Sequence, residues 1–232
     1  MKKFIYLFFI LISVFAYIFL NKEETIILKE SIYKEREVIK EKELTVFNER
    51  KSINEDYIGE IIIEDLISEY VVQTVDNEFY LKHDFYKNEF SQGSVFLDYR
   101  NSLDDQNLII YGHYVYKDET AKFSLLHLLK EEENYEKYKN IKLDLGYEVR
   151  EYVVSKVYYY VMDSDKLIYF LTNYSDEDLS SYISSVDEVK FYDTGVEIGT
   201  GDKFLTLQTC VRNKNDLRLI ILAKEIGKWR NL

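Results

Sequence analysis

The pattern of apolar and charged positions divides the chain into three parts, and the first is the most apolar. Lys2 and Lys3 precede a run without a charged residue, which extends from Phe4 to Leu20. Those 17 residues span about 26 Å as a helix, close to the ~30 Å of a bilayer core. No small-residue cleavage site follows the run. The pattern therefore predicts an uncleaved transmembrane signal anchor over residues 1–20, with the lysines cytoplasmic and the remainder exported.

The second part, residues 21–52, is mostly charged. Its scattered apolar positions include pairs at helical spacing, such as Leu28 with Ile32. No heptad repeat is sustained, so a long coiled coil is not supported. Mixed Glu and Lys are typical of a solvated helix. We predict a charged helical stalk that holds the following domain away from the membrane.

The third part, residues 53–232, changes to short β-rich runs separated by turn signals. Helical spacing marks Phe123–Leu129 and Ser175–Val186, and the pair Ser175 and Asp178 resembles a capping box. Long helices do not alternate regularly with strands, which disfavours a doubly wound α/β sheet. We predict one mainly-β domain, a barrel or sandwich of about eight strands with inserted helices. The predicted strands are Ile58–Ile63, Tyr70–Val75, Ser94–Leu97, Asn107–Tyr111, Ile141–Leu145, Tyr147–Val161, Lys203–Thr209 and Leu217–Lys224.

Composition excludes several classes of function. The 42 acidic residues outnumber the 30 basic ones, for a formal net charge of -12, which argues against binding to nucleic acid. A single cysteine excludes a disulfide within the chain and a Cys-rich zinc module. The glycines form no phosphate-binding motif, and the histidines are not spaced as metal ligands. The chemistry therefore centres on the one thiol.

Cys210 lies where an apolar predicted strand runs into polar residues. A lone cysteine most often packs as a small buried hydrophobe. An unpaired thiol in an exported domain is, however, open to oxidation, and the end of a strand is a place where a side chain can meet solvent. A nucleophilic cysteine also needs a histidine or a cation that favours the thiolate.

His113 is the best-placed histidine, because it follows an apolar run and Gly112 allows the chain to turn there. His127 lies within a predicted helix, where a packed or surface imidazole is expected. Arg218 opens the strand expected to pair beside that of Cys210 across a seven-residue loop, and Arg212 lies within that loop. On the residues alone, both a Cys210/His113/Arg218 site and a merely packed cysteine stay open.

A family resemblance adds to this picture. Thr206–Cys210, which reads TLQTC, resembles the TLxTC signature of sortases, and Arg218 stands where that family carries its active-site arginine. Further segments resemble class B sortases in the same order, so that the resemblance covers about residues 53–225. These segments are Ile53–Gly59, Asp76–Phe85, Gly93–Asn101, Tyr111–His113 and Tyr192–Val196.

The chain departs from the family pattern at a few positions. The family often has Asn after the Gly-His pair, where this chain has Tyr114. An acidic residue often follows the cysteine, whereas Val211 and Arg212 follow here. These differences leave the three candidate residues in place and bear on substrate preference.

The resemblance implies a sortase-type eight-stranded β-barrel that works without a cofactor as a cysteine transpeptidase. It implies Cys210 as nucleophile, His113 as general acid and base, and Arg218 as the group that stabilises substrate and oxyanion. The implied partners are secreted proteins with a C-terminal sorting motif, cleaved after Thr, and a peptidoglycan precursor or stem-peptide amine. The implied location is the cell membrane of a Gram-positive envelope, with the catalytic domain outside. An exported, membrane-anchored cysteine protease or hydrolase and a non-enzymatic envelope scaffold remain as alternatives.

Overall fold

The computed structural model describes residues 29–31, 33–34, 37–38, 41–42, 44–116, 118, 121–162 and 171–230. The predicted anchor, residues 1–20, lies outside these ranges. Within them, no helix combines the length and the apolar character needed to span a bilayer. The chain divides into two compact units, Met1–Thr45 and Val46–Leu232. The described residues of the first unit are helical.

The second unit is a closed barrel of eight strands within the described residues, which confirms the mainly-β prediction. Around the barrel the strands follow the order β1-β2-β3-β4-β7-β8-β6-β5. The pairs β2–β3 and β4–β7 are parallel, and the other neighbours are antiparallel. The strands are β1 Tyr57–Ile63, β2 Ile67–Val72, β3 Val95–Leu97, β4 Asn107–Tyr111, β5 Asn140–Asp144, β6 Glu148–Val161, β7 Phe204–Val211 and β8 Lys214–Arg230.

One helix precedes the first strand, and further helical segments occupy connections between strands. The α-helices are α1 (residues 44–53), α2 (Tyr135–Tyr138) and α3 (Asp176–Asp187), and short 3₁₀ helices span Phe79–Leu81, Ser124–Lys130 and Glu132–Asn134. The helix predicted over Phe123–Leu129 is thus a 3₁₀ helix, a form common in short connectors. The predicted cap of α3 is confirmed, because the Asp178 backbone N–H donates to Ser175 Oγ at 3.1 Å.

The described residues form three apolar clusters, of which a small one joins Val72, Tyr80 and Phe96. The first fills the barrel interior and includes Leu205, Leu207 and Ile221. The second lies on the outer face, where α3 packs against β6, β7 and β8 through Leu179, Ile183, Val186, Phe204, Ile220 and Leu222. Burying each such side chain contributes about 1.5–3 kcal/mol. Because successive residues of β7 alternate between the two faces, Gln208 and Cys210 lie on the outer face, beyond the part that α3 covers.

The buried side chain of Lys156 on β6 forms an ion pair with the end of α3. The side chain is fully buried, and its Nζ lies 2.7 Å from Asp187 Oδ1 and 3.2 Å from Glu197 Oε1. Asp187 ends α3 and Glu197 belongs to the connection that leads to β7. A buried ammonium needs such partners, because an unpaired charge in the interior is costly. The ion pairs therefore tie β6 to the segment that precedes the Cys210 strand.

The predicted bounds of β2 and β8 are wrong, and β8 also extends beyond the predicted end at Lys224 to Arg230. The strand expected over Tyr70–Val75 runs over Ile67–Val72, because a tight turn with Asp65 at a φ of 58° pairs Ile67 directly with Ile63. The seven-residue loop expected between β7 and β8 is also absent. Only Arg212 and Asn213 separate the strands, since the long β6 continues as a pairing partner and holds even Leu217 in the ladder.

Candidate active site

Strand register brings Cys210 and His113 together. β4 and β7 run parallel with Tyr111 opposite Gln208, and the Gly112 N–H donates to the Gln208 carbonyl oxygen at 3.1 Å. Side chains two residues apart in a strand share a face. β4 ends at Tyr111, and His113, two residues further on, lines the same cleft as Cys210 at the C-terminal ends of the two parallel strands.

Arg218 reaches the same place from the other side of β7. It is the direct antiparallel partner of Cys210, and directly opposed side chains have Cβ atoms about 4.5–5.5 Å apart on one face. Arg212, in contrast, lies in the β7–β8 turn, where its guanidinium carbon is 4.4 Å from the ring centroid of Tyr116. The structure thus separates the two arginines that the sequence places near the thiol.

A cleft of about 300 Å³ is lined by all three candidate residues. The Cys210 side chain is partly exposed within it. Its remaining walls combine apolar side chains with a few polar groups, a mixture typical of ligand sites. Apolar walls come from Leu81, Phe96 and Met162, and polar groups from Asn77, Tyr111, Gln208 and Thr209. The cleft can hold a short peptide segment against the thiol.

A backbone carbonyl holds the His113 ring and determines which ring nitrogen is left basic. Its Nε2 lies 3.0 Å from the Leu81 carbonyl oxygen. Since a carbonyl oxygen only accepts hydrogen bonds, Nε2 carries the proton and Nδ1 is left as the basic nitrogen. Burial lowers the pKa of His113 below 6.5, and the positive charge of Lys122 adds to this effect, while the bond to Leu81 opposes it.

Tyr111 is fixed in the cleft wall by a buried carboxylate. Its hydroxyl donates to Asp98 Oδ2 at 2.8 Å, and Arg100 donates to the same carboxylate through Nε at 2.9 Å and Nη2 at 2.8 Å. Burial by itself would raise the pKa of Asp98, but the bonds from Arg100 and Tyr111 outweigh it and the net pKa lies below its usual range. Sequence reasoning missed this support.

His127 contacts the backbone of the candidate nucleophile. Its Nε2 lies 3.0 Å from the Cys210 carbonyl oxygen, so the imidazole that was expected to pack or to face solvent has a specific partner. His83 instead stacks on Phe79 with ring centroids 4.0 Å apart. Among the described residues, no group of three or more His, Cys, Asp or Glu side chains is arranged to hold a metal ion.

No known protein-family model matches the chain. Among curated proteins, it is 28% identical over 186 residues to sortase B of Staphylococcus aureus, with 78% of this chain and 74% of that protein covered. It is 30% identical over 185 residues to sortase B of Listeria monocytogenes, with 77% and 73% covered.

Solved structures show the same likeness in three dimensions. A substrate complex of S. aureus sortase B superposes with a TM-score of 0.70 and 27% identity, over 78% of this chain and 84% of that one. Sortase B of Clostridium perfringens superposes with a TM-score of 0.70 and 30% identity, over 78% and 99%.

Proposed function

The chain belongs to the sortase B family and is a cysteine transpeptidase of cell-wall anchoring, and on this premise we propose how its residues perform the reaction. The substrate is a secreted protein whose C-terminal sorting motif lies in the cleft beside Cys210. The observation that carries the proposal is that Cys210, its strand partner Arg218 and His113 line one cleft.

Acylation begins at the thiol. His113 Nδ1 takes the proton of the Cys210 thiol, and the resulting thiolate attacks the carbonyl carbon of the motif's threonine, so that a C–S bond forms as the carbonyl becomes a tetrahedral oxyanion. When the oxyanion collapses, the C–N bond breaks and the departing amine takes a proton from His113. Because Nε2 is bound to the Leu81 carbonyl, the transferred proton is carried at Nδ1. The product is a thioester on Cys210.

Transfer reverses these roles. An amino group of a peptidoglycan precursor or stem peptide attacks the thioester carbon, and His113 accepts the proton that this amine loses. The C–S bond breaks and an amide forms, so no cofactor enters either half of the reaction. The lowered pKa of His113 supports this half, since a neutral imidazole is the form that acts as a base.

Arg218 stabilises the charge that develops on the substrate. It pairs with Cys210 in the ladder and lines the cleft, which puts a permanent cation next to the oxyanion. Preorganised donors of this kind typically contribute a factor of about 10²–10³ to the rate. The apolar side chains of Leu81, Phe96 and Met162 in the cleft walls favour an uncharged stretch of the motif.

Mass spectrometry tests this proposal. The purified full-length chain is incubated with a panel of peptides that carry different sorting motifs, with and without amine acceptors. We expect release of the C-terminal fragment, a thioester on Cys210, and an amide product that grows with acceptor concentration. Cys210→Ala should abolish all three. Cleavage with water as the only acceptor would instead identify a hydrolase, and cleavage that survives Cys210→Ala would refute the assignment of the nucleophile.

We also propose that residues 1–20 anchor the enzyme as a single transmembrane segment with the catalytic domain outside. The support is the sequence itself, in which two lysines precede the uncharged run Phe4–Leu20. In cells, the full chain should sediment with membranes and be digested by protease added from outside. Recovery of the intact chain in the soluble fraction would contradict the proposal.

A further inference from the structure

The 3₁₀ helix Ser124–Lys130 and the residue before it contact the backbones of both candidate catalytic residues. The Phe123 N–H donates to the His113 carbonyl oxygen at 3.2 Å, and His127 Nε2 lies 3.0 Å from the Cys210 carbonyl oxygen. Phe123 also packs so closely on Gly112 that a Cβ there would lie 2.5 Å from its ring. One short segment therefore joins the ends of β4 and β7.

The position of the Cys210 carbonyl explains why a side chain reaches it. In a strand, the backbone groups of residues two apart point to the same neighbour. The Gln208 carbonyl oxygen accepts from the N–H of Gly112, the residue that follows β4. The Cys210 carbonyl therefore also points toward the β4 side. It finds no strand partner there, because β4 has already ended at Tyr111. A backbone carbonyl inside a protein needs a donor, and His127 provides one.

The same point is a local irregularity in the sheet. On the β8 side, the ladder shifts register between Cys210 and Val211. A shift of this kind bends the strand and changes the direction of the side chains next to it. The His127 ring is itself held edge-on by Tyr114, with ring centroids 5.1 Å apart. The imidazole thus acts as a fixed donor where the β4 strand has already ended and where the β8 ladder shifts register directly after Cys210.

We propose that His127 is a positioning residue, which aims the Cys210 thiol at the substrate carbonyl by holding the peptide group that follows Cys210. The inference rests on the proposed transpeptidase function. His127 lines a separate cavity with Tyr114, Val211 and Arg212 and is not a wall of the substrate cleft. His127 therefore acts through Cys210 and does not contact the substrate peptide. Since a carbonyl only accepts, His127 holds Cys210 with Nε2 protonated.

Three substitutions separate the hydrogen bond from mere packing. His127→Gln keeps an N–H donor the same number of bonds from Cβ. His127→Asn keeps an amide that is one bond too short, and His127→Leu fills the space without a donor. Because the chain has one cysteine, carbonyl-¹³C cysteine gives a single protein signal in NMR. We expect that signal to shift in the Leu and Asn variants and to stay near its wild-type position in the Gln variant.

Kinetics then test the role. In the Leu and Asn variants, the rate constant of acylation should fall by about tenfold to a hundredfold, because displacement of a reacting group by about 1 Å has effects of this size. KM for the peptide should change less than twofold, since His127 lies outside the cleft. His127→Gln should recover the rate to within about threefold. Alkylation of Cys210 by iodoacetamide should change less than twofold, because a small free reagent does not require the thiol to be aimed at a bound carbonyl.

The outcomes distinguish a failure of the positioning role from a failure of the proposed function. An unmoved carbonyl signal in the Leu variant, or normal acylation despite a shifted signal, overturns the positioning role. A Gln variant as slow as the Asn variant overturns it as well. If the Leu variant fails to fold, the Gln and Asn pair decides the matter. If wild-type chain processes no sorting peptide, the proposed function fails, and the carbonyl signal still shows whether His127 holds Cys210.

Discussion

Asp98 supports the substrate cleft from behind, and its replacement by Asn gives a sharp test of that role. The carboxylate is fully buried, and its Oδ2 accepts from both Arg100 Nη2 and the Tyr111 hydroxyl at 2.8 Å. Asp98→Asn changes the volume little. At the position of the charged oxygen that accepts from Arg100 and Tyr111, the variant has either an amide N–H₂, which cannot accept, or a neutral carbonyl oxygen, which accepts more weakly.

The expected loss follows from these contacts. A hydrogen bond to a charged group contributes about 1.5–3 kcal/mol. The Arg100 side chain is 39% exposed, so water replaces part of its bond, whereas Tyr111 remains in the cleft wall. We therefore expect a loss of about 2–3 kcal/mol in the free energy of unfolding, or a drop in Tm of about 5–10 °C. KM for a sorting peptide should rise by up to about tenfold as the Tyr111 ring loses its fixed position.

Urea unfolding as a function of pH checks the electrostatic part. The pKa of Asp98 is lower in the folded chain than its ordinary value. Its contribution is therefore complete above about pH 4 and is lost as the pH falls through the folded pKa. The difference between wild type and Asp98→Asn should shrink over that range. Asp104→Asn removes a charge from an exposed residue of the neighbouring loop and should change stability by less than about 0.5 kcal/mol. An equally small effect of Asp98→Asn, with unchanged KM, would refute the reasoning.

Three further predictions concern the site and the packing behind it. Arg218→Ala should slow acylation by about 10²–10³-fold, as measured by release of the C-terminal fragment. Arg212→Ala should keep the rate within about twofold of wild type. Equal losses in the two variants would contradict the assignment of Arg218 to the site. In an NMR titration, His113 should show a pKa below 6.5. Lys122→Gln should raise the pKa of His113, because it removes a neighbouring positive charge. An unchanged pKa in this variant would contradict the influence of Lys122. Lys156→Met should lower the free energy of unfolding by only about 1–2 kcal/mol in urea, because both carboxylates that it pairs with keep contact with water. A loss above about 4 kcal/mol would show that this ion pair is a principal support of the domain.

Local patterns in the sequence were sufficient for features with local causes. The bounds of β4 agree at both ends with the prediction, because the apolar run Leu108–Tyr111 follows Asn107 directly and ends at Gly112. The cap of α3 also follows from neighbouring residues, since Ser175 needs only the N–H of Asp178. Cys210 was singled out in the same way, by its place at the end of an apolar strand within the TLQTC motif.

Tertiary structure decided what depends on register between distant segments. The polar residues Lys214–Asp216 were predicted as loop, yet β8 begins with them. Backbone pairing with β7 and with the long β6 does not require apolar side chains. The contact of His127 with Cys210 joins residues 83 apart, and Tyr111 finds Asp98 only when β3 and β4 pair. Periodicity records which face of a strand is buried. It does not record which strand lies beside it, and the support of this cleft depends on that arrangement.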